Sequence, residues 1–234
     1  MQRKIIDLEN LSKDERKTLV VDFLREMYFE RKIDIFKWAN ITKQTPKIET
    51  KFLGQNLVSL VTGILGMGTA ARGDDLSNGS EVKSCSRLDQ LSKCKKCKAR
   101  VTAIDKICPE CGSTDIKIMR DSHWIFTINT VEKKERILNE TPTIYFLLID
   151  DYNLGKDEVA RFNIWALYPK TDRFFREEYI EDYYNNNFLV KRAAGKNPAP
   201  MNVHPRSPKF SKTSPELVFE AVIDQKGEVN ILKF

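Results

Sequence analysis

The chain has 234 residues, 41% of them hydrophobic and 31% charged, a balance that suits one sizeable domain over 1–234 with a small insert and excludes wholesale disorder. Its apolar runs, "TIYFLLI" among them, are too short to cross a bilayer, and "MQRKIIDLENLSKDERK" at the N-terminus lacks an apolar stretch of signal-peptide length, so a cytoplasmic protein without a membrane partner is expected. The net charge of +6 is compatible with nucleic acid but is shared by many proteins that bind none.

Residues 12 to about 30 are predicted as a helix. "SKDE" forms a capping box, with Ser12 as N-cap and Glu15 reaching back, and Leu19, Phe23 and Met27 then recur at helical spacing. A second helix is predicted in "KFLGQNLVSLVTGIL", where Leu53, Leu57, Leu60, Val61 and Ile64 mark one face. Gly63, Gly66, Gly68 and Gly73 then break the pattern and predict a tight, irregular passage.

That passage leads into "RGDDLSNGSEVKSC". Two carboxylates near one another bind a hard divalent cation such as Mg²⁺, and a lysine beside them can orient a metal-bound water. Glu81 and Lys83 are two apart, so on a strand they share a face. Leu76 and Val82 are the apolar members and belong on the opposite face. Pairing Asp75 with Glu81 satisfies both demands and leaves the three-residue loop Ser77–Asn78–Gly79, with glycine where such loops need a left-handed residue. A two-residue Asn78–Gly79 turn would pair Asp74 with Lys83 and push Leu76 among the charges. Asp75 is therefore the expected ligand with Glu81, and Asp74 the reserve. Alone, the pattern is common in solvated hairpins.

Next come Cys94, Cys97, Cys108 and Cys111, two C-x-x-C pairs in an insert spanning 90–117. In a reducing compartment this spacing predicts a four-thiolate zinc ribbon with a structural role, because four protein ligands leave no open coordination position. The lysines of "KCKKCK" favour the thiolates. Cys85 has no obvious partner and is expected to pack in the core.

"HWIFTI" is predicted as a buried strand, "VEKKERILNE" as a short helix, and "TIYFLLIDDY" and "ARFNIWALYP" as two further strands. "TDRFFREEYIEDYYNN" reads as a helix whose aromatics face a core. Residues 185–215 contain no acid and read either as a solvated, proline-stiffened surface loop or as a basic, DNA-facing loop region, the latter expected because acid-free stretches do not repel phosphate. Lys191, Arg192, Lys196, Lys209 and Lys212 suit phosphates there, and Asn197, Asn202 and Arg206 are types able to read base edges. "LVFEAVI" and "EVNILKF" close the chain as a hairpin around "QKG".

Other chemistries find little support. His123 and His204 are the only histidines and lack the spacing of a histidine-metal site. "GMGTAA" follows a helix rather than a strand, and no Walker motif is present, so no nucleotide cofactor is expected.

The order helix, glycine-rich bend, acid, Glu-x-Lys and strands resembles the PD-(D/E)XK nuclease fold. "GQNLVSLVTGILGMGTAARGDDLSNGSEVKS" resembles, in particular, bacterial type II restriction endonucleases of that superfamily, those related to MamI. The likeness covers roughly residues 50–90, and the position before Asp75 holds Asp74 where the family commonly has proline. It implies an α/β fold with a mixed central sheet flanked by helices, Mg²⁺ on Asp75 and Glu81, and Lys83 assisting the attacking water. It also implies a polar helper on the leading helix, Gln55 or Glu49. The expected substrate is double-stranded DNA, cut at a specific site by a homodimer. The rivals are a repair or nicking nuclease of the same fold and a non-catalytic zinc-ribbon nucleic-acid-binding protein.

Overall fold

The computed structural model describes residues 7–44, 46–68, 74–86, 92–101, 105–117, 122–150 and 157–234. Gly73 of the glycine passage, residues 90–91 and 102–104 of the cysteine insert, and residues 151–152 of the predicted "TIYFLLIDDY" strand lie outside these.

Helix α1 spans Lys13–Leu24 and opens with the capping box: Ser12 N–H donates to Glu15 Oε2 at 2.8 Å, and Glu15 N–H to Ser12 Oγ at 3.3 Å. The helix does not stop near residue 30. It passes through a π-type segment, Arg25–Glu30, into α2, Arg31–Thr42, and ends where Lys43 turns left-handed. Helix α3, Thr50–Thr62, ends at Gly63, whose φ of 78° makes it a glycine C-cap.

The central sheet has the order β1-β6-β7-β9-β10. Its strands are β1 (Glu81–Cys85), β6 (Ile144–Asp150), β7 (Glu158–Leu167), β9 (Glu216–Asp224) and β10 (Val229–Lys233). β1 runs parallel to β6 and every other pair is antiparallel, so the sheet is mixed. All of β6 is buried, which explains its unbroken apolar run: a strand covered on both faces needs no polar alternation. Tyr145, Leu147 and Ile149 join α1 and α3 in one hydrophobic cluster, while Ile144, Phe146 and Leu148 join a second, aromatic cluster on the other face.

That second cluster is closed by a two-stranded sheet of β5 (Trp124–Phe126) and β8 (Met201–Val203). A helix, largely of π-type turns over Phe175–Glu181 and Tyr183–Leu189 and ending in α5, Val190–Ala193, covers it. Trp124 is 1% exposed and donates from Nε1 to the Leu147 carbonyl at 2.8 Å. The 185–215 segment, expected as a basic, DNA-facing loop region, is only partly loop. The segment begins as helix, supplies β8, and buries Phe188, Met201, Val203 and Phe210 in the aromatic cluster. The cysteine insert holds its own three-stranded sheet, β2 (Ser92–Cys94), β3 (Arg100–Val101) and β4 (Ile116–Lys117), in the order β3-β2-β4.

Candidate active site

Glu81 and Lys83 occupy alternate positions of β1, the edge strand of the sheet, and both line a cleft of about 550 Å³. Its other walls include Phe126 and Thr127 at the end of β5, and Lys133 and Arg136 on the helix that runs as α4 (Val131–Glu135) and a π-type turn (Arg136–Glu140). Lys83 Nζ donates to Glu81 Oε2 at 2.9 Å and stands 5.4 Å from the centre of the Phe126 ring. Val82 turns the other way, into the first hydrophobic cluster with Leu76.

The N–H of Glu81 donates to the Thr143 carbonyl at 3.0 Å, inside the sheet. The next N–H, of Val82, leaves the open edge of β1, and there Asp75 Oδ2 accepts it at 2.8 Å. The other oxygen of Asp75 accepts from the side-chain amide of Gln55. Ser77, Asn78 and Gly79 form the loop: Leu76 N–H donates to the Ser80 carbonyl at 3.2 Å, Gly79 N–H to the Leu76 carbonyl at 3.0 Å, and Gly79 takes a φ of 84°. Ahead of the loop the hairpin's first arm is not a strand. Leu76 forms a single bridge to Gly66, and Asp75 reaches β1 through its side chain.

The two aspartates part company. Asp74 forms an ion pair with Arg136 across the rim of the cleft. The hydrogen bond that Arg136 donates to Asp74, with the nearby charge of Glu81 adding to it, raises the pKa of the guanidinium. Gln55 and not Glu49 touches Asp75; Glu49 stands at the N-cap of α3 and makes no capping hydrogen bond.

Sequence reasoning missed Gly54. A Cβ there would lie 1.7 Å from Ser84 Oγ and 2.9 Å from Ser84 Cβ. Its absence lets α3 press onto β1, and that approach delivers the next residue, Gln55, to Asp75. The signal was a glycine inside a helix, which costs about 1 kcal/mol relative to alanine and so calls for a packing reason. Arg136 was missed too, because "VEKKERILNE" shows only a helix.

The thiols of Cys94, Cys97, Cys108 and Cys111 converge, with all four sulfurs within 4.8 Å of one another. Cys94 and Cys111 are 3.6 Å apart, and Cys97 and Cys108 are 3.5 Å apart. A tetrahedral ion with bonds of ~2.3 Å sets its sulfurs about 3.8 Å apart, so the cluster could hold a zinc ion. The two knuckles have the same build. Lys98 N–H donates to the Cys94 carbonyl at 3.0 Å and Gly112 N–H to the Cys108 carbonyl at 2.9 Å, and both residues are left-handed, with φ of 65° and 69°. Crowding divides the thiols. The Cys97 N–H leads in holding Cys94 down at about 6. At Cys97 the Ala99 N–H favours the thiolate, but the neighbouring cysteines and burial outweigh it and push the pKa up to about 12. Cys85 lies apart, buried in the aromatic cluster.

The residues expected to face DNA are spread out. Lys191 and Arg192 end the long helix, and Lys196 and Asn197 follow it, exposed. Asn202 lies on β8, opposite Ile125 of the cleft wall. Arg206 forms an ion pair with the buried Asp150. Lys209 lies 3.8 Å from Asp182 and 4.7 Å from the centre of the Tyr179 ring, and Lys212 lies 5.8 Å from the centre of the Phe174 ring.

The MamI restriction endonuclease family model matches residues 37–234. The type II restriction enzyme MamI of Microbacterium ammoniaphilum is 30% identical to the chain over 171 residues, covering 73% of this chain and 50% of its own length. The chain thus spans about half the length of the curated relative it matches. No solved structure matches it.

Proposed function

The chain belongs to the MamI restriction endonuclease family, and from that premise we propose that it is a Mg²⁺-dependent type II endonuclease on a PD-(D/E)XK-type fold. Its substrate is double-stranded DNA, whose phosphodiester bonds it hydrolyses at a specific, palindromic site as a homodimer. The observation that carries this reading is the edge of β1: Glu81 and Lys83 side by side in the cleft, with Asp75 bound to the main chain of the residue between them.

The donor set suits the ion, since Asp75 and Glu81 offer hard carboxylate oxygens of the kind Mg²⁺ prefers. These two residues would hold it. When bound, Mg²⁺ lowers the pKa of a water and neutralises charge on phosphate. The chain's own residues do the positioning. Gln55 and the Val82 N–H fix both oxygens of Asp75. Lys83 steadies Glu81 and presents an ammonium to the cleft, where it orients the attacking water. The cysteine cluster takes a structural zinc; it stabilises an insert whose own apolar cluster is small.

Incubation of plasmid with wild-type protein and Mg²⁺ tests the proposal. Discrete fragments are expected, and none from Glu81→Ala or Lys83→Ala. DNA binding by wild type without cleavage would overturn the nuclease reading in favour of a binding protein.

A further inference from the structure

The cleft is lined by two cations that no motif contains, Lys133 and Arg136. Glu81 lines it with Lys83 bound to it, Asp75 accepts from the main chain of Val82, and Asp74 pairs with Arg136 of its wall. Lys83 and a Mg²⁺ ion on Asp75 and Glu81 would only balance these three acids, leaving no net positive charge to draw in a phosphate backbone. Lys133 and Arg136 supply that positive charge from the helix that lines the cleft. They are three apart on one helix and so share a side.

We propose that Arg136, with Lys133 beside it, is a DNA-phosphate grip of the cleft, and that Asp74 holds the Arg136 guanidinium ready until a phosphate takes its place. The inference rests on the reading of the cleft as the DNA site. The Asp74–Arg136 pair is half open to water, with side chains 34% and 39% exposed. Exposed ion pairs contribute little net stability, so an incoming anion displaces Asp74 at small cost. A phosphate offers the guanidinium two parallel acceptors, the geometry in which arginine binds best. The base of the side chain is fixed: Thr141 donates to the Arg136 carbonyl from its N–H at 2.9 Å and from Oγ1 at 3.2 Å, and Leu138 beside it is buried. Only the guanidinium has to change partner. The doubled acid then has two jobs, with Asp75 serving β1 and Asp74 parking the arginine.

Binding of a labelled DNA duplex in Ca²⁺, followed by fluorescence anisotropy across a range of salt, tests this without cleavage. Arg136→Ala should bind several-fold more weakly, with the salt-dependence slope reduced by about 1. Arg136→Gln, which can keep a hydrogen bond to Asp74, should lose the same slope even if the alanine variant folds poorly. Arg136→Lys should restore most of the slope. Asp74→Asn should bind more tightly than wild type with an unchanged slope. A full slope in Arg136→Gln, or weaker binding by Asp74→Asn, would overturn the grip. If wild type cleaves plasmid and Arg136→Gln keeps its slope, only this inference fails. If the slopes move as expected and wild type never cleaves, the nuclease reading fails and the grip stands.

Discussion

The main-chain N–H of Val82 donates to the side chain of Asp75 at 2.8 Å, so the acid expected to hold a metal also closes the exposed edge of β1. The two duties are separable. Asp75→Ala should leave the Val82 N–H unsatisfied, lower the unfolding free energy by about 1–2 kcal/mol, and abolish cleavage. Asp75→Asn keeps an acceptor oxygen and should recover most of the stability in urea unfolding while leaving cleavage lost. Equal stability of the two variants would remove the structural duty.

Gly54→Ala should be costly out of proportion to its size. The added methyl meets Ser84, α3 must retreat from β1, and overpacking of this kind costs about 1–3 kcal/mol. Thermal unfolding would read the loss of stability. Cleavage should fall further than the folded fraction does, because Gln55 withdraws from Asp75.

Arg206→Ala should act first on stability. Its partner Asp150 is 5% exposed, and breaking a buried pair costs about 3–5 kcal/mol; with the Arg206 side chain 37% exposed, about 1–3 kcal/mol is expected. Chemical denaturation at neutral pH measures it. A variant as stable as wild type but defective in DNA binding would instead support the base-reading role of Arg206.

About one zinc per chain is expected, and none in Cys94→Ser or Cys108→Ser, as read by elemental analysis. Chelation should remove the ion and melt the insert. The central sheet should unfold at nearly its original temperature, because the apolar cluster of Cys94, Val101 and Cys108 is separate from the two that sandwich the sheet.

Local chemistry was legible in the sequence. The capping box, the apolar face of α3, the run of β6 and the turn at Gly227 all announce themselves within a few residues. What was hidden depends on distance. Asp74 and Arg136 are 62 residues apart, and an ion pair between remote residues leaves no local pattern. The helix past residue 30 was hidden because α2 buries only Ala39 and exposes Ile33, Trp38 and Ile41, so no single apolar stripe marks it. β8 was hidden because "MNV" is three residues among prolines, and only pairing with β5 makes it a strand. At the site, alternation along β1 separates Glu81 and Lys83 from Val82. The partner that fixes Asp75 comes from packing of α3, which spacing cannot display.

β1 and β6 pair in parallel, and residues 86–143, including the cysteine insert, form the excursion between them. Such an excursion taxes folding through the entropy of joining its ends. The insert's first and last strands in the chain, β2 and β4, bring Lys93 beside Lys117, so once it is folded the chain between them no longer counts toward the length to be closed. The logarithmic dependence makes that saving only about 0.5 kcal/mol. A module whose entrance and exit are neighbours therefore neither hastens nor hinders the sheet that carries it. The connection after β1 is a place where a chain can acquire a cysteine-clustered ornament without renegotiating how it folds.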